Sequence, residues 1–105
     1  MNERKKFGLI ISPDAEKEVK ISFEFYEKRK AGLGKDFVSE VNLTIERIVA
    51  NPEQFIKLRN RQVRKAKVTR FPFGIYFAEK GLMINVLAVF HSSRNPTNLR
   101  KRKII

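Results

Sequence analysis

The sequence predicts an α+β domain of order β-α-α-β-β-β, an antiparallel sheet flanked by a helical hairpin. Two stretches in the first half repeat apolar residues at three- and four-residue steps and are parted by Gly32 and Gly34. Three runs in the second half are rich in β-branched and aromatic residues, and the turns between them are short enough for hairpins. The chain has 105 residues, 42% of them hydrophobic, which is enough for one modest core and leaves no room for a second domain.

Residues Phe7 to Ile11 read as a short first strand. Ser12-Pro13-Asp14 then starts a helix, with a hydroxyl N-cap, a proline whose missing N–H costs nothing in the first turn, and an acid near the positive end of the dipole. Ala15, Val19, Ser22 or Phe23, and Tyr26 form its apolar stripe, while Glu16, Lys17, Lys20, Glu24 and Glu27 face water, and the helix ends near Lys30. Two glycines able to adopt positive φ reverse the chain at Lys30 to Gly34. A second helix runs from about Lys35 with Phe37, Val38, Val41, Ile45, Ile48 and Val49 on one face. It stops at Asn51-Pro52, because proline disfavours helical geometry in its predecessor.

From Val63 the pattern changes to a run mixing β-branched and basic residues, then an aromatic-rich one, then one almost wholly apolar. Val63 to Phe71, Gly74 to Glu79 and Leu82 to Phe90 are strands, joined at Phe71-Pro72-Phe73-Gly74 and Glu79-Lys80-Gly81. The last of them is apolar on both faces and so belongs inside the sheet. Residues 97–105 are expected to be a flexible basic tail.

No cysteine occurs and His91 is the only histidine, so neither disulfides nor a thiolate or lone-histidine metal site is expected, and no cofactor motif is found. The apolar run near the N-terminus is too short for a signal peptide or a membrane span, which makes the expected location cytoplasmic. Charge is the dominant compositional fact: 23 Lys and Arg stand against 11 Asp and Glu, a net +12. The excess is concentrated in the second half, where Glu79 is the only acid after Glu53. Such a field favours polyanionic or acidic partners.

Several motifs occur in order on these elements: Ile11-Ser12-Pro13-Asp14-Ala15, Leu33-Gly34-Lys35-Asp36-Phe37, Asn51-Pro52-Glu53, Val63-Arg64, Phe71-Pro72-Phe73-Gly74-Ile75-Tyr76-Phe77, and Val89-Phe90-His91 followed by Arg94-Asn95-Pro96. Together they resemble the RelE/ParE toxin superfamily over nearly the whole chain. The resemblance implies a RelE/ParE-like fold, a bacterial toxin–antitoxin or plasmid-stabilisation role, growth inhibition, and neutralisation by a cognate antitoxin protein. The superfamily divides between ribosome-dependent mRNA endoribonucleases and inhibitors of DNA gyrase.

Metal-independent RNA cleavage needs a base, an acid and a phosphate-stabilising cation. Arg70, His91, Arg94 and Tyr76 are the candidates here. Each has a structural alternative: His91 as a strand-end residue, Arg94 as a cap or carboxylate partner, and Tyr76, with Phe71, Phe73 and Phe77, as core rather than a base-stacking surface. RelE-type nucleases resemble one another in an arginine at the start of the middle strand, where this chain has Gly74, and in an aromatic residue soon after the last strand, where it has Thr97, Asn98 and Leu99.

Phe71 to Tyr76 is more similar to the ParE branch, which needs no catalytic group. On that reading Arg64, Lys65, Lys67, Arg70 and Arg94 would bind the target. Alternation puts Arg64 and Arg70 on one face of their strand and Lys65 and Lys67 on the other, where they could equally guard an edge. Gyrase inhibition is therefore expected, with ribosome-dependent mRNA cleavage as the alternative. A non-toxic nucleic-acid-binding module lacks a basic helix to support it, and an inactive antitoxin sink is the remaining reading.

Overall fold

The computed structural model describes residues 6–59 and 62–102. Its elements are β1 (Gly8–Ile11), α1 (Pro13–Arg29), α2 (Leu33–Ala50), β2 (Ile56–Lys57), β3 (Arg64–Lys67), β4 (Phe73–Lys80) and β5 (Met83–His91), followed by a 3-10 helix, Pro96–Lys101. The sheet order is β1-β5-β4-β3-β2. Strands β2 to β5 are antiparallel, as expected, but β1 joins β5 in parallel, so the sheet is mixed. A parallel pair needs a long crossover, and here everything from the helical hairpin to β4 supplies it. The two-residue β2, which the sequence does not reveal, extends β3 through Ile56–Lys65 and Lys57–Arg64 pairs.

Ser12 caps α1 as predicted, its hydroxyl accepting from the Ala15 N–H at 3.1 Å. The two glycines between the helices have different tasks. Gly32 takes the turn at φ 89°, whereas Gly34 lies inside α2, where a Cβ would stand 2.6 Å from the Phe23 carbonyl oxygen. Position 34 is therefore glycine for close approach and not for turning, which corrects the sequence expectation. Helix α2 also begins two residues earlier than expected, because the Glu27 carboxylate folds back to accept from the Gly32 and Gly34 N–H groups at 2.8 and 2.9 Å.

The Gly32 amide first, then those of Gly34 and Lys35 and the Lys35 charge, hold the Glu27 carboxyl below its ordinary value despite some desolvation. A depressed folded pKa adds stability above the unfolded value and loses it as pH falls through the folded one. Glu27→Gln is thus expected to lower the urea midpoint at neutral pH and to approach the parent's midpoint in acid, once the carboxyl is protonated in the folded state as well. An equal deficit at both pH values would assign the loss to shape rather than charge.

Two apolar clusters sandwich the sheet. On the helical face Phe37, Ile48, Ile75, Phe77, Ile84 and Val86 close the main core. On the other face Tyr76, Leu87, Phe90 and Leu99 form a second. Leu99 is buried because the 3-10 helix lies over this second cluster. Where a flexible tail is predicted from Thr97, the chain is thus packed through Arg102; residues 103–105 lie outside the described residues. Among the described residues no helix is long and apolar enough to cross a membrane.

Candidate target-binding face

Strand β5 carries a bulge, since Tyr76 pairs with Ala88 and Phe77 with Val86, leaving Leu87 over. Strand β1 stops opposite Val86, so the rest of this edge of β5 must be satisfied by other groups. The Leu87 carbonyl accepts from the Ser12 hydroxyl at 3.1 Å and from Arg102 Nη1 at 2.9 Å. The Val89 N–H donates to the Glu18 carboxylate at 3.0 Å. Glu18 also takes Arg102 at 2.7 Å and Arg94 at 3.4 Å, and both guanidiniums lie over the Phe90 ring, 4.9 and 4.2 Å from its centroid. The Glu18 hydrogen bond holds the Arg102 charge more firmly, outweighing desolvation, with smaller support from Asp14.

This arrangement gives Arg94 a structural task as a carboxylate partner. The other residues named for catalysis are likewise engaged. Tyr76 is 3% exposed and sits in the second cluster. His91 packs its ring against Phe73 at 5.3 Å, and its Nδ1 lies 2.8 Å from the Ser93 hydroxyl and accepts from the Ser93 N–H. Arg70 pairs with Asp36 at 3.6 Å and Glu40 at 3.7 Å on α2. Strand β3 ends at Lys67, so Arg70 does not share a strand face with Arg64. It occupies the turn into β4 at φ 71°, an uncommon conformation for a side-chain-bearing residue. Arg64 faces the helical side and donates to the Phe55 carbonyl at 2.7 Å, anchoring the entry to β2.

Lys65 and Lys67 are the two that remain available, side by side on the face away from the helices. The Lys65 chain lies across Gly74, where a Cβ would come 2.6 Å from its Cε, and its ammonium reaches 5.7 Å from the Tyr76 ring. A larger residue at position 74 would therefore displace Lys65, whose flexible chain can move, rather than backbone. Glycine at position 74 and lysine at position 65 form one spatial unit.

Sequence reasoning did not single out Arg47. It lies in the last turn of α2, where it reads as an ordinary charge complementing the helix dipole, yet its guanidinium reaches the Lys67 carbonyl at 3.5 Å. Among the described residues Arg47, Lys65 and Lys67 have no carboxylate within ion-pair distance, and no group of three or more potential metal-ligating side chains occurs. Such a surface can attract and orient an acidic or phosphate-bearing partner.

The family model described as ParE toxin of the type II toxin–antitoxin system parDE matches residues 9–96. Among solved structures, a chain from the chromosomal ParDE TA system from P. aeruginosa superposes with a TM-score of 0.73 at 17% identity, covering 83% of this chain and 97% of that one. No curated protein matches.

Proposed function

Because this chain belongs to the ParE toxin family of type II toxin–antitoxin systems, we propose that it arrests growth by docking on DNA gyrase through the lysine-bearing face of its sheet. As a toxin of this class it has a cognate antitoxin as partner. The observation that carries the docking reading is the division among its candidate residues. Arg70 and Arg94 are paired with carboxylates, Tyr76 is buried and His91 is bound to Ser93, whereas Lys65 and Lys67 have no acidic partner among the described residues. Electrostatic docking needs uncommitted cations and no converging acid and base.

The test is induction in a bacterial host without antitoxin, following DNA and protein synthesis by separate label incorporation over the first minutes. DNA synthesis is expected to fail first. A Lys65→Glu, Lys67→Glu double variant is expected to weaken the arrest about tenfold or more while keeping the parent's melting temperature, since charge reversal on a docking face acts on association. Earlier failure of protein synthesis would overturn the gyrase reading, favour ribosome-dependent cleavage, and make Arg70, His91 and Arg94 the residues to replace.

A further inference from the structure

Of the sheet's two edges, β1 carries no charge. It reads Gly8-Leu9-Ile10-Ile11, whereas the strands at the opposite edge display Lys57, Lys65 and Lys67. Exposed edges are usually guarded by lysine against pairing with another chain, and β1 lacks that guard. Its inner row is fixed: the Gly8 N–H donates to the Leu82 carbonyl at 2.7 Å and the Ser12 N–H to the Val86 carbonyl at 3.0 Å. Gly8, Ile10 and Ser12 therefore turn their amides towards β5, and by alternation Leu9 and Ile11 turn theirs outwards. Among the described residues no strand pairs with this outer row. The surface around it is apolar, since Leu9, Ile10, Leu82 and Met83 are each more than a third exposed.

We propose that β1 is an interface for a second copy of this chain, added antiparallel to form one continuous sheet across a two-fold axis. The outward groups fix the register. Leu9 pairs with Ile11 of the second copy and Ile11 with its Leu9, each pair exchanging both amide bonds. Ile10 then meets its own counterpart on the axis as a non-hydrogen-bonded pair, the arrangement that brings side chains closest. A second copy suits this edge better than a charged partner, because β1 offers no cation to an acid or phosphate and is, within a chain of net +12, a stretch where two copies meet with no charge of their own strands opposed. The axis stands perpendicular to the sheet, so Lys65 and Lys67 of both copies lie on the same side and the lysine face becomes bivalent. The inference does not rest on gyrase being the target, since it is read from self-association.

The test is sedimentation of the full chain from about 5 to 500 μM, where so small an interface is expected to give a Kd of about 100 μM. Raising salt is expected to strengthen the dimer about threefold, because it screens the repulsion between two basic chains. Leu9→Pro removes an outward N–H and no bond to β5, so it is expected to weaken association about tenfold at an unchanged melting temperature. The chain has no cysteine, which makes single-cysteine cross-linking a second and independent readout. Ile10→Cys is expected to oxidise to a linked dimer about tenfold faster than Leu9→Cys or Leu82→Cys, since only position 10 faces itself at a Cα separation of about 4.5 Å, within disulfide reach. A monomer at every concentration and salt, or equal cross-linking at the three positions, would overturn the proposal. So would a monomer whose Leu9 and Ile11 amides resist hydrogen exchange, which would assign the edge to the chain's own N-terminal residues.

Discussion

Phe37→Ala is expected to cost about 4 kcal/mol, the usual range for emptying a fully enclosed aromatic site. Phe37 has no exposed surface, and its ring meets those of Tyr26, Phe71 and Phe73 at 5.4, 5.3 and 4.8 Å. These neighbours come from α1, from the turn before β4 and from β4 itself, so no single element can collapse to fill the space. Edge-to-face contacts with Phe71 and Phe73 add specific attraction to the loss of buried area. Against a total stability of about 5–15 kcal/mol for a domain of this size, the substitution removes a large fraction. The thermal midpoint should fall by about 20 °C and growth arrest should weaken with it. A midpoint within about 5 °C of the parent would mean that the helical hairpin can repack on the sheet.

Glu18→Ala is the second largest, expected to cost about 3 kcal/mol because it strips a mostly buried guanidinium of its nearest carboxylate and leaves the Val89 N–H without its acceptor. The side chains of Glu18 and Arg102 are each only 14% exposed. Glu18→Gln keeps an acceptor for Val89 while removing the charge, so about half that cost is expected. Urea unfolding should show a lower midpoint with an unchanged slope, and limited trypsin digestion should release the segment after Arg94 earlier than in the parent. Unchanged digestion with reduced stability would place the loss in the β5 edge alone and not in the docking of the C-terminal 3-10 helix.

Both helices were legible because their signals are local. Ser12-Pro13, the apolar steps from Phe37 to Ile48 and Asn51-Pro52 each act within a turn or two of chain. The fold class and the toxin family follow from the order of such local signals. The parallel placement of β1 beside β5 was not legible, because strand order depends on partners far apart in sequence. The same holds for Arg102, whose acceptor Glu18 lies 84 residues away, and this is why a packed C-terminal segment reads as a tail.

Arg70 failed for another reason. The alternation of basic and apolar residues continues past Lys67, and nothing in it marks a left-handed turn at a non-glycine residue. Of the candidate site, Lys65 and Lys67 could be read from alternation. Arg47 could not, because its relation to Lys67 is made only when α2 packs beside β3.

The parallel pairing of β1 with β5 also sets the order in which the chain can be completed. Gly8 to Ile11 are made well before their register partners, Met83 to Val86. The Ser12 hydroxyl likewise waits for the Leu87 carbonyl. During synthesis the helical hairpin can form from local contacts, but its sheet stays open at both ends, since loop closure must precede the reward of such distant contacts. Strand β3, which carries Lys65 and Lys67, therefore acquires a rigid backing only after Met83 to Val86 have been made, so a finished toxin surface emerges all at once rather than gradually.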